Sequence, residues 1–181
     1  MAVKPFETAV RRILAPRLTE LGFERAGSRW YRDGKRAIDG IHLQQDRYNL
    51  AEVSSFTINL ASARLPFFLP GRALDPLRRS LDLFDQKPAP GNRKKIVRLG
   101  LLTEIGEDHW YPYRNVAPGD ADAVVSEALD DIERYALPWM KSGKRPRRER
   151  DPTRKIAADA LKESLLADMV AAATLEPARQ E

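Results

Sequence analysis

A chain of 181 residues carrying a net charge of +5 is long enough for one domain of ordinary size and an appendage, and such a domain buries a core without staples. Cysteine is absent, which sets aside disulfides, thiolate nucleophiles and Cys-based zinc sites. No run of about 18 apolar residues is present, so a membrane span is not expected, and Glu7 without an apolar signal core speaks for a cytoplasmic protein.

The charge is unevenly spread. Residues 1–140 balance at +2, residues 141–155 at +6 and residues 156–181 at −3. A near-neutral domain therefore carries a short basic strap, which differs from a uniformly basic nucleic-acid binder.

Phe6, Val10, Ile13, Leu14, Leu18 and Leu21 recur at helical steps, with Gly22 as the stop. Pro16 lies inside this 3–21 helix and should kink or split it. Lys4, Arg11, Arg12 and Arg17 read as a solvated basic flank. From Phe23 to Arg32 one extended segment is expected, and Asp33-Gly34 signals a hairpin into a strand over Ala37 to Asp46. The next strand, Val53 to Ala61, alternates Phe56, Ile58 and Leu60 with Thr57, Asn59 and Ala61, the signature of a half-buried strand. These strands should form a meander.

Five prolines break the pattern across 64–93, an insertion in which Asp75-Pro76 opens a short helix to Phe84. Phe67, Phe68 and Leu69 plug the core edge or form an exposed patch. A fourth strand is expected over Lys95 to Leu102 and a fifth over His109 to Tyr113. Glu104, Glu107, Asp108 and His109 between them read as a solvated turn without the ligand rhythm of a metal site. Asp120 should cap a helix buried through Val124, Val125, Ala128, Leu129, Ile132 and Tyr135 and ended by Pro138. Asp130, Asp131 and Glu133 would face solvent. Residues 141–151 form a basic linker, and 152–181 an amphipathic helix and tail that either folds back or covers another molecule.

The fold class expected is α+β, a single antiparallel sheet of about five strands with the 3–21 and 120–137 helices on one face. The domain covers 1–140, and the basic linker carries the terminal helix. If the apolar alternates turn toward the helices, the other face presents His42, Gln44, Thr57, Asn59 and Arg98, the candidate site for a ligand or partner. Gly100 would leave room beside Arg98. Read as an enzyme, the face offers His42 as base, with Asp39 or Asp46 to orient it, and Arg98 as anion holder. It offers no nucleophile, since Ser54 and Ser55 are not in an elbow context. No catalytic residue, metal or cofactor is assigned, and no Gly-rich phosphate loop is present. Lys141, Lys144, Arg145, Arg147, Arg148 and Arg150 are the alternative contact, to nucleic acid or an acidic protein, without aromatics to stack bases.

Several short blocks carry a resemblance: Leu21-Gly22-Phe23, Trp30-Tyr31-Arg32, Gln44, Phe56 to Leu60, Arg98 to Leu102, Trp110 and Ala136-Leu137-Pro138. Their order resembles the bacterial "domain of unknown function 4304" family over roughly residues 5–141, with 64–93 and the tail as departures. The resemblance implies no activity, catalytic residue or cofactor that can be carried over. A non-catalytic interaction protein is the expected function, as an immunity-type inhibitor or accessory subunit with a protein partner.

Overall fold

The computed structural model describes residues 5–34, 37–49, 53–64, 83–84, 94–114 and 118–145, with individual positions between 153 and 171. Its architecture is α+β: six antiparallel strands with the two long helical runs on one face.

The first helical run is not one regular helix. It comprises α1 (Pro5–Ala9), a π turn over Val10–Leu14 and α2 (Ala15–Glu20). Pro16 explains the interruption, because its ring clashes with the carbonyl of the residue four back and it has no N–H to donate. The π turn, closed by the Ala15 N–H on the Val10 carbonyl, puts Pro16 at the start of α2, where that N–H is not needed. Gly22 then ends the run at φ +84°, with the Gly22 and Phe23 amides donating to Thr19 and Leu18 carbonyls at 2.9 Å.

The second run repeats the device and corrects the expected ending at Pro138. α3 (Pro118–Asp131) passes through a π turn over Ile132–Ala136 into α4 (Leu137–Ser142), again with proline at the start of the following segment. Gly143, at φ +67°, closes it by donating to the Trp139 carbonyl. Asp120 lies inside the first turn of α3, where a carboxylate meets the positive helix end, rather than outside it as a cap.

The sheet order is β1 (Glu24–Ala26), β2 (Arg29–Asp33), β3 (Ala37–Gln45), β4 (Val53–Arg64) and β5 (Lys94–Arg98), with β6 (Tyr111–Arg114) also on β4. β4 is the organiser: β3 takes one edge, and β6 and β5 share the other at 53–56 and 59–63. The segment expected as one strand over 23–32 folds into the β1–β2 hairpin, because Gly27 (φ +64°) permits a turn there. β5 stops at Arg98, and Leu99–Leu101 form a 3-10 turn instead of continuing the strand.

Sidedness follows the alternation. Ile41 stands opposite Trp30 and Leu60, Leu43 opposite Ile58, and Leu60 opposite Val97, all facing the helices. They meet Phe6, Val10, Leu14, Leu18, Val125 and Ile132 in one core. Each fully buried aliphatic there contributes about 1.5–3 kcal/mol. Leu101, expected in the same row, is only partly buried at the core margin. Arg12 pairs with Asp122, and Arg17 pairs with Glu133 at 2.6 Å, so part of the basic flank clamps α2 and its π turn to the second helical run. Asp131 is buried, with Tyr111 Oη donating to Oδ2 at 2.8 Å, so the acidic face expected there loses one member to the core.

The opposite sheet face carries a smaller apolar cluster of Ile38, Ala61, Ala63 and Leu83, with Phe84 against it. A Cβ on Gly40 would come within 2.4 Å of Leu83 Cδ2, so glycine allows this close approach. Leu83 and Phe84 are helical, as the end of the 76–84 helix requires; residues 65–82, including Phe67, Phe68 and Leu69, lie outside the described residues. The described positions between Thr153 and Ala171 are all helical and exposed. Ala157 and Leu161 border a cleft of about 500 Å³ that also touches Tyr113, Val124 and Glu127. No helix among the described residues is long and apolar enough to cross a membrane.

Candidate binding face

Register assembles the site. Arg29 on β2 stands opposite His42 on β3, His42 opposite Asn59 on β4, and Asn59 opposite Arg98 on β5. Side chains of directly paired residues share a face, so these four form one row across four strands, about 14 Å long at the usual spacing of ~4.8 Å. The row lies on the face away from the helices. Gln44 sits one step along β3, and its Oε1 accepts a hydrogen bond from Asn59 Nδ2 at 2.9 Å. That bond fixes both amides and leaves Asn59 Oδ1 and the Gln44 amino group for a ligand.

Aromatic walls flank the row. The Phe84 ring lies 5.5 Å from that of His42, and the Arg98 guanidinium 5.5 Å from that of Trp110. Arg98 also pairs with Asp108, an exposed contact of modest strength. The His42 imidazole is pushed down to about 4 by burial first and by the Arg29 charge second. It is therefore neutral at pH 7, able to donate from one nitrogen and accept at the other.

Thr57 does not belong to this face as an available group. It is fully buried, and its hydroxyl donates to the His109 carbonyl at 2.8 Å. The space expected beside Arg98 is filled too: a Cβ on Gly100 would meet the Glu107 carbonyl at 2.6 Å and the His109 amide at 2.7 Å. The loop read as a solvated turn is thus partly structural. His109 is buried, and Glu104 accepts from Tyr135 Oη and pairs with Arg134 at 3.0 Å, while Glu107 and Asp108 remain exposed. Among the described residues no His, Asp and Glu group is disposed to hold a metal ion.

Neither carboxylate considered as a partner for His42 reaches it. Asp39 lies on the helix side, bound by Arg32 at 3.1 Å and by the Ser62 hydroxyl at 2.8 Å. Asp46 accepts from the Tyr48 amide and the Ser55 hydroxyl. Ser54 is buried. Of the basic strap, Lys141, Lys144 and Arg145 are exposed, and Arg147, Arg148 and Arg150 lie outside the described residues. Arg29 was missed from the sequence. It stands two residues after the turn glycine Gly27, and only the register with His42 places it in the row.

The fold and face define a small α+β domain that displays a donor-rich polar row on the sheet face turned away from its two long helical runs. The chain belongs to the family described as "Domain of unknown function (DUF4304)", whose model matches residues 14–142. No match was found among the curated proteins or among the solved structures.

Proposed function

We propose that this chain is a non-catalytic binding protein that holds a protein partner on the row Arg29, His42, Asn59 and Arg98, with Gln44 beside it. The in-register row carries the reading: four polar side chains, each able to donate from nitrogen, converge on one half-buried face between Phe84 and Trp110. An acceptor-rich strand or loop, such as an acidic segment, complements it. Inhibition of a partner, as an immunity protein does, or an accessory role in a complex in a bacterial cytoplasm fits such a face. A photo-crosslinking residue at Gln44 should capture the same partner repeatedly, and Asn59→Asp should abolish capture. Equal capture from a control position at Asp130, on the helix side, would overturn the reading.

A second reading has its own support. Lys141, Lys144 and Arg145 are exposed at the end of α4, without a carboxylate partner among the described residues. They could neutralise nucleic-acid phosphates, each adding a salt-dependent increment. Retardation of generic DNA or RNA at low salt, lost at high salt, would support it, and no retardation at low salt would end it.

A further inference from the structure

We propose that the cleft beside the β1–β2 turn binds a small organic anion, a carboxylate carried on a flat apolar body. The cleft lies at the sheet end where β3 outruns the hairpin, roofed by α1 and the first π turn. Its volume is about 450 Å³, within the range of small-molecule sites. Phe6, Val10, Trp30 and Leu43 form its apolar wall, and His42 and Gln44 form part of its rim. It therefore borders the face proposed for the partner but opens around the sheet edge toward the helices.

Two independent observations point to an acceptor-bearing, negatively charged occupant. Among the described residues, only two buried side-chain nitrogen or oxygen atoms lack a hydrogen-bond partner, Arg29 Nε and Trp30 Nε1. Trp30 lines this cleft, whereas the Arg29 side chain lies in the polar row on the other sheet face. The unmet donor at the cleft is thus the Trp30 indole, and buried donors are satisfied almost everywhere else in proteins. The second observation is charge. Arg12 and Arg17 are paired with carboxylates, whereas Arg11 on the cleft has no acidic partner among the described residues. Arg25 is held by its Nε on the Gly27 carbonyl at 3.0 Å and lies 5.2 Å from the Trp30 ring, leaving its terminal nitrogens for a ligand. Glu7 is the single carboxylate in the lining. A forked guanidinium grips a carboxylate in bidentate fashion, and the aromatic wall takes the apolar body.

The experiment follows amide and indole N–H correlation spectra of the full chain during titration with naphthoate to about 10 mM, a range that reads millimolar affinities. The expected result is a saturable shift of the Trp30 indole and of Ser28 and Gln44, with little response to benzylamine. Arg11→Gln and Arg25→Gln, both at exposed positions, should each weaken the affinity about tenfold or more, as loss of a charge-assisted contact does. Arg98→Ala should leave it unchanged, which separates this cleft from the partner face. A non-saturable or absent shift, an equal response to benzylamine, unchanged affinity in both arginine variants, or loss in Arg98→Ala would each overturn the proposal.

Discussion

Tyr111 on β6 donates its phenolic hydrogen to Asp131 near the end of α3 at 2.8 Å, and both side chains are buried. A carboxylate among apolar neighbours is tolerated only while its hydrogen bonds are made. Tyr111→Phe keeps the ring that stacks on Phe56 at 5.2 Å and removes only the donor. The expected cost is about 1.5–3 kcal/mol, read as a Tm lower by about 3–12 °C. A Tm within a degree or so of wild type would mean that the bond contributes nothing net.

His42 gives the chain a pH dependence whose sign is fixed. Its folded value is about 4 against an ordinary 6.5, so on acidification the unfolded chain takes up the proton first. The contribution is therefore complete above about pH 6.5 and is lost as pH falls through 4. The imidazole resonances should titrate near 4. Arg29→Gln should raise that midpoint only in part, because burial is the larger cause. Urea unfolding at pH 7 and pH 4.5 should show a greater loss for wild type than for His42→Gln.

The two crowded glycines should respond differently to alanine. At Gly40 the obstacles are the ends of the Leu83 and Phe84 side chains, which can turn aside. At Gly100 they are the His109 Cβ and backbone atoms of Glu107 and His109, none of which can turn aside, so the loop itself must move. Gly100→Ala should cost about 1–3 kcal/mol and should disturb the Thr57 bond to the His109 carbonyl. Gly40→Ala should cost less and alter chiefly the spectra of Leu83 and Phe84. The reverse order in denaturant midpoints would contradict this assignment.

Arg98 and Thr57, both expected on the polar face but different in role, should separate stability from binding. Arg98→Ala removes an exposed ion pair and should change stability by at most about 1 kcal/mol while abolishing partner capture. Thr57→Val leaves the buried His109 carbonyl without its donor and should cost about 1–3 kcal/mol. Chemical denaturation of both variants beside the crosslinking assay checks the pair.

The strand alternation made the sheet and its two faces readable, because a period of two in Phe56, Ile58 and Leu60 leaves little freedom about which side is buried. It located His42, Gln44, Asn59 and Arg98 on one face, yet it could not show that Thr57 is covered. That cover is the backbone of a loop 52 residues away, and no local pattern encodes it. Asp131 was misjudged for a similar reason. Its polarity argued for solvent, while the Tyr111 hydroxyl that makes its burial tolerable comes from another element. Arg29 entered the row only through the β2–β3 register, which the hairpin turn at Asp33-Gly34 sets.

The paired π turns ahead of Pro16 and Pro138 restrict how this family member can change in length. Each turn holds one residue more than a regular helical turn would need and absorbs it locally, so the side chains downstream keep their direction. Excising a single residue from Val10–Leu14 would close a regular turn and leave Leu18 facing the core. It would also press the Pro16 ring against the carbonyl four residues back, the clash that the wider turn relieves. A second excision has no surplus to draw on and would rotate Leu18 toward water by about 100°.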